Sequence, residues 1–176
     1  VPVHVYGNFC DVRGIERIAS RHGLKVLYDA AHTFGATMDG RSASAFGDAA
    51  MYSFHATKVF HTVEGGAITC PSAEVAEQLR LERNFGITGP ETTVSVGGNA
   101  KMNEFQAAMG LCNLRHLAQE LESRRRARDA YYARLQGVAG LWLPPARPGD
   151  NCAYLPVLFR GFAKTDRKST RLNSSH

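Results

Sequence analysis

The chain has 176 residues, 44% hydrophobic and 21% charged, with a formal net charge of +5. That length and composition suit one globular domain with a sizeable core. No apolar run approaches the roughly 18 residues of a membrane-spanning helix, so an integral membrane function is set aside.

In chain order, VPVHVYG alternates Val1, Val3 and Val5 with Pro2 and His4 and predicts a strand closed by Gly7. It begins with Val1 and lacks the charged-then-apolar profile of a signal peptide, so the chain reads as one that starts inside a domain. Asp11 is placed to cap a helix over VRGIERIASRH, with Ile15, Ile18 and Ala19 at helical spacing and Gly23 as the stop. KVLYDAA predicts a second strand. Strand, helix and strand within about thirty residues form a βαβ unit, which implies a parallel sheet. Ligands of such sheets gather at the carboxyl ends of the strands, where Asp29 lies.

GDAAMYSF predicts a third strand ending at Ser53 and Phe54, and GGAITC a fourth. SAEVAEQLRLERNFG predicts a helix capped by Ser72 and stopped at Gly86. GITGPETTVSVGGNAK reads as a loop. A long helix starts near Asn103, whose spacing to Gln106 is that of a capping box, with Phe105, Met109 and Cys112 on one face. It continues through ESRRRARDAYYARL. LPPARPGDN reads as a break and CAYLPVLFRGF as the first strand of another subdomain. The expected division is a large domain over 1–143, the start of a small one over 144–165, and a tail over 166–176. The tail, DRKSTRLNSSH, matches the one-frame translation of a common DNA-sequencing adapter and is expected to be non-native. Without it 18 basic and 15 acidic residues remain, too weak an imbalance to argue for a nucleic-acid partner.

Cys10, Cys70, Cys112 and Cys152 are widely spread with no C-x-x-C pair and read as buried, reduced thiols. His55 and His61 are six apart, which is not the spacing of two metal ligands on one helical turn, so no metal site is expected. There is no G-x-S-x-G elbow and no phosphate-binding G-x-x-x-x-G-K-[ST] loop. Arg124, Arg125, Arg126 and Arg128 beside Tyr131 and Tyr132 raise the alternative of a basic nucleic-acid-binding module. On a helix they spread around the circumference behind Glu120 and Glu122, which favours a solvated face.

Four places then stand out: Asp29 ending one strand, Ser53 ending another, Lys58 in the loop after it, and Asn99 in a glycine-rich loop. A lysine amine is mostly protonated near neutral pH, and burial or a cationic neighbour frees it to bond an aldehyde. Pyridoxal 5′-phosphate (PLP) needs such a lysine, an acid beside its ring nitrogen, and donors for its phosphate. YDAAHTFGA, GDAAMYSFHATKVFHTVEGGAI and GGNAKMNEFQAAMGL, in this order and spacing, resemble successive motifs of the DegT/DnrJ/StrS family of PLP-dependent sugar aminotransferases. The resemblance runs from Val1 to about Phe162.

It implies an α/β fold: part of the large domain of a fold-type-I PLP enzyme, with a mostly parallel sheet flanked by helices, plus the start of a small α/β domain. It also implies roles. Lys58 matches the lysine that bonds PLP covalently and shuttles the proton. Asp29 matches the acid paired with the pyridine nitrogen, and Ser53 a phosphate-binding hydroxyl. Asn99 matches a residue reaching the phosphate of the neighbouring subunit's cofactor, hence a homodimer with shared sites. His32 stands where the family often has Gln against the ring hydroxyl; an imidazole N–H can donate there too. Glu64-Gly65-Gly66 matches the family's EGG and reads equally as a tight turn, so it is left outside the catalytic set. The implied reaction moves an amino group, usually from glutamate, to a nucleotide-linked keto-sugar in the cytoplasm, for polysaccharide or antibiotic-sugar biosynthesis. Some members carry histidine in place of the lysine and act as sugar dehydratases. Here the position five after Ser53 is lysine, which favours transamination.

Overall fold

The computed structural model describes residues 1–161; the tail over 166–176 and the last residues of the expected small-domain segment lie outside them. Helix α1 spans Val12–His22, with the Asp11 carboxylate accepting from Gly14 N and Gly23 in the left-handed conformation at its end, as its sequence predicts. Strand β1 (Leu27–Asp29) pairs in parallel with β2 (Ala49–Ser53), and β2 pairs antiparallel with β3 (Gly66–Thr69). The expected mostly parallel sheet is therefore corrected to one parallel pair and one antiparallel pair, beside two small antiparallel sheets. The cause is the connection over residues 54–65: it holds no helix, and a parallel return needs a crossover of a dozen or more residues, usually helical.

The N-terminal strand is also corrected. Only Val3 forms a bridge, parallel to Asp29, with His4 N donating to Asp29 O and Asp29 N to Pro2 O. A 3-10 turn over Val5–Gly7, with Tyr6 at φ 58°, then takes the backbone out of the ladder.

Helix α2 (Ala73–Arg83) is capped by Ser72 and ends at Asn84 rather than Gly86. The stretch read as a loop contains a small hairpin, β4 (Ile87–Gly89) with β5 (Thr92–Thr93), whose β-branched residues favour extended pairing. Helix α3 runs over Glu104–Leu135 and begins with the full capping box of Asn103 and Gln106. The face carrying Phe105, Met109 and Cys112 is exposed, Phe105 at 88%. Strands β6 (Leu141–Trp142) and β7 (Leu158–Phe159) pair antiparallel. Of the four cysteines only Cys152 is buried, so the expectation of four buried thiols is corrected.

The core sits between α1, the sheet and the start of the β2–β3 connection: Val12, Tyr28, Ala30, Ala50, Tyr52, Phe54 and Phe60 are all buried. Phe34 stacks on Phe60 at 4.4 Å and meets Phe54 edge-on at 5.6 Å. Aromatic pairs of this kind add to the burial of their area. α3 backs this cluster at Gly110, where an added Cβ would lie 2.9 Å from Thr62 Cγ2. No helix among the described residues is long and apolar enough to cross a membrane.

Candidate active site

Parallel pairing puts the ends of β1 and β2 side by side: Asp29 pairs with Met51, and Ala30 N donates to Met51 O at 2.8 Å. Ser53 ends β2, so both residues sit at the carboxyl edge of the parallel pair. Asp29 Oδ1 accepts from Ala31 N at 3.0 Å, a turn that aims the chain from β1 towards His32. Its second carboxylate oxygen takes no hydrogen bond among the described residues. Ser53 Oγ accepts only a long bond from His55 N, 3.4 Å, and its hydroxyl proton has no acceptor among the described residues.

Lys58 lies in the β2–β3 connection, which is short-circuited at its neck. Thr62 N donates to Phe54 O at 2.9 Å and Phe54 N to Gly65 O at 2.8 Å. Phe54, Val59 and Phe60 are buried on either side of the lysine, and Asn113 of α3 donates to His61 O at 2.9 Å. The loop is thus fixed by apolar anchors while Lys58 itself stays half-buried. Its ammonium makes no hydrogen bond or ion pair among the described residues. It lines a small cavity with Ala31, His32, Phe34, Asn151, Ala153 and Tyr154.

His32 joins the two charged members. Burial lowers its pKa below the ordinary histidine value, the Lys58 charge lowers it further, and the Asp29 charge opposes both. The ring is therefore held towards its neutral form. Its Nδ1 accepts from Tyr6 N at 3.2 Å, so the neutral ring carries its proton on Nε2. Asp29 and Lys58 thus act on one ring, that of His32, and Ser53 ends the strand beside Asp29. The bonds of Asn99 run elsewhere. It is exposed, bridges Asn84, and accepts from Lys101 Nζ at 2.8 Å, in a loop strapped to the end of α2 by Gly98 N to Glu82 O and Ala100 N to Arg83 O.

The flanking histidines have local duties. His55 Nδ1 pairs with Thr57 Oγ1 at 2.9 Å and its Nε2 lies 3.7 Å from Glu64. His61 Nδ1 takes a long bond from Val63 N. The arginines of α3 are engaged with acids: Arg124 with Glu120, Arg125 and Arg126 with Glu122, Arg128 with Asp129 and Asp150. That is an ion-paired helix face rather than a free basic surface. Among the described residues no cluster of His, Cys, Asp and Glu is arranged to hold a metal ion.

Asn151 and Tyr154 were not legible as site residues. Asn151 is 1% exposed, and its amide donates to His32 O at 2.8 Å and Phe34 O at 2.9 Å, across more than a hundred residues. The DN dipeptide after ARPG signals a turn, but nothing local names its distant partner.

The donor set fits PLP: an unpaired amine for its aldehyde, a carboxylate oxygen for its ring nitrogen, an imidazole N–H for its ring hydroxyl and a serine hydroxyl for its phosphate.

The family model of the DegT/DnrJ/EryC1/StrS aminotransferases matches residues 1–173. The dTDP-4-amino-4,6-dideoxy-D-glucose transaminase of Shigella dysenteriae is 42% identical over 160 residues, covering 90% of this chain and 44% of that protein. The crystal structure of DesI in the presence of its TDP-sugar product is 38% identical with a TM-score of 0.81, over 88% of this chain and 40% of the other. A sugar aminotransferase from Streptococcus pneumoniae in its PLP form shares the fold, with a TM-score of 0.83 at 21% identity, over 91% of this chain and 47% of the other. The chain thus spans less than half the length of each of these proteins.

Proposed function

The chain belongs to the DegT/DnrJ/EryC1/StrS aminotransferase family, and on that premise we propose that the full-length protein transfers an amino group from glutamate to a nucleotide-linked keto-deoxysugar in the cytoplasm. Members of the family are PLP-dependent. When bound, PLP draws electrons away from the substrate carbon that bears the nitrogen. The residues of this chain do the rest. Lys58 would hold the cofactor covalently through its Nζ and would hold and move the proton at the reacting carbon. Asp29 accepts from the ring nitrogen and keeps it protonated. His32 donates Nε2–H to the ring hydroxyl, and Ser53 donates to the phosphate. Asn99, exposed in its loop, would reach the cofactor phosphate of a second subunit in a homodimer.

One observation carries the reading. A half-buried lysine with no acidic partner among the described residues sits in one cavity with His32, and the charge of Asp29 reaches that same ring.

The test is to express the full-length protein with PLP and screen nucleotide-linked keto-sugars with glutamate, following the products by mass. Gain of an amine on the sugar is expected; loss of water alone would indicate a dehydratase. Lys58→Ala should remove both the visible absorption of the bound cofactor and turnover. A variant that kept both would overturn the assignment of Lys58.

A further inference from the structure

The segment 149–154 is built as a folded hook rather than a passing connection. Cys152 N donates to Asp150 Oδ1 at 2.9 Å, Ala153 N to Asn151 Oδ1 at 3.1 Å, and Thr37 N to Gly149 O at 2.8 Å. Arg128 of α3, its side chain only 13% exposed, lies 3.9 Å from Asp150. Cys152 adopts φ 52°, a left-handed conformation uncommon for a residue with a Cβ. Such a conformation persists where the surroundings over-determine it.

The hook grips the piece of chain that carries His32. The Asn151 amide spends both its hydrogens on the carbonyls of His32 and Phe34. Gly7 makes the approach possible: at φ 84°, a Cβ there would lie 2.9 Å from Asn151 Oδ1 and 3.0 Å from His32 O. Tyr154 packs on the His32 ring with centroids 4.8 Å apart, and on Tyr6 at 5.4 Å. Tyr6 in turn holds His32 Nδ1 through its backbone N–H. His32 is therefore fixed at its carbonyl, at its ring face and at one ring nitrogen, which leaves Nε2–H as the one unspent donor of its ring among the described residues. A glutamine at this position would present no ring to Tyr154.

From this geometry we propose that Asn151 and Tyr154 are positioning residues that act through His32: the hook sets the direction in which Nε2–H is offered to the cofactor. The inference rests on the PLP reading above.

A double-mutant cycle tests it in the full-length protein. PLP is titrated into apo-protein, and its dissociation constant and visible absorption band are recorded for the wild type, Asn151→Ala, Tyr154→Leu, His32→Ala and the two doubles with His32→Ala. Each single variant should bind PLP about ten-fold more weakly, and the band should change its pH dependence in the same sense. In the His32→Ala background neither change should add a further loss. Equal losses in both backgrounds would overturn the clamp, as would wild-type binding by both variants. If Asn151→Ala fails to fold, leaving two inner carbonyls unpaired, Tyr154→Leu decides by the same comparison, because Tyr154 is 37% exposed and no buried partner depends on it. A wild type that takes up no PLP would overturn the family-based reading and this inference with it. A wild type that binds PLP beside unaffected variants would overturn the clamp alone.

Discussion

His4 is the most enclosed titratable side chain near the site, at 0% exposure, with its ring stacked on Tyr28 at 4.8 Å and tilted against Phe9 at 4.9 Å. Its Nδ1 accepts from Cys10 N at 3.2 Å, while Nε2 is buried without a partner among the described residues. A buried donor left unpaired costs about 1–3 kcal/mol, so ring packing must offset it. Burial lowers the His4 pKa below 6.5, and the charge of Asp29 only partly opposes this. In the unfolded chain the ring takes a proton near the ordinary value, so the unfolded state binds more protons in the window below about 6.5. The stabilisation is complete above that value and is lost as pH falls through the window towards the lowered native pKa. His32 adds to the same trend for the same reason, more weakly because it is less enclosed. The expected result is a melting temperature that drops between pH 7 and pH 5 more steeply than in a His4→Phe variant, whose ring keeps the packing and cannot titrate. Parallel curves for the two proteins would show that His4 does not contribute.

At the scale of elements, α3 is fixed by its start. The Asn103 side chain accepts from Gln106 N at 2.9 Å and the Gln106 side chain accepts from Asn103 N at 3.0 Å, satisfying two of the free N–H groups at the helix N-terminus. Asn103→Ala should cost about 1 kcal/mol in urea unfolding, with Asn103→Ser closer to wild type; no change in midpoint would mean that this turn is already frayed. Such caps were legible because they are local: Asp11, Ser72 and Asn103 each act within three residues. So were the strand ends carrying Asp29 and Ser53, since alternation of apolar side chains marks them. What was not legible was set by distance or by competition. The antiparallel return of β3 depends on a connection closed by Thr62 N to Phe54 O, which no periodicity reveals. The first strand lost its pairing after His4 because Tyr6 turns the backbone to donate to His32. Asn151 reaches residues 32–34 through tertiary packing alone. The sequence therefore supplied the residues of the candidate site and missed the hook that holds one of them.

At the scale of the whole molecule, the distribution of apolar surface limits what this chain can do alone. Val96 is 95% exposed, Phe105 88% and Leu111 61%, the last two on α3. Apolar surface of this extent is usually covered by further protein, and the chain spans 44% of the length of its Shigella relative. Asn99 stands exposed in the same loop as Val96. On the proposed reading this chain would offer one hydroxyl, Ser53, to the phosphate, and phosphate affinity grows with the number of charge-assisted hydrogen bonds. The 176-residue chain should consequently bind PLP more weakly than the full-length protein and show no transamination where the full-length protein shows it. The comparison is made on both proteins at equal concentration, with PLP titration, light scattering for dimer formation, and sugar products followed by mass. Robust turnover by the short chain would mean that Lys58, Asp29, His32 and Ser53 form a sufficient site without the rest of the protein, and that Asn99 has no part in it.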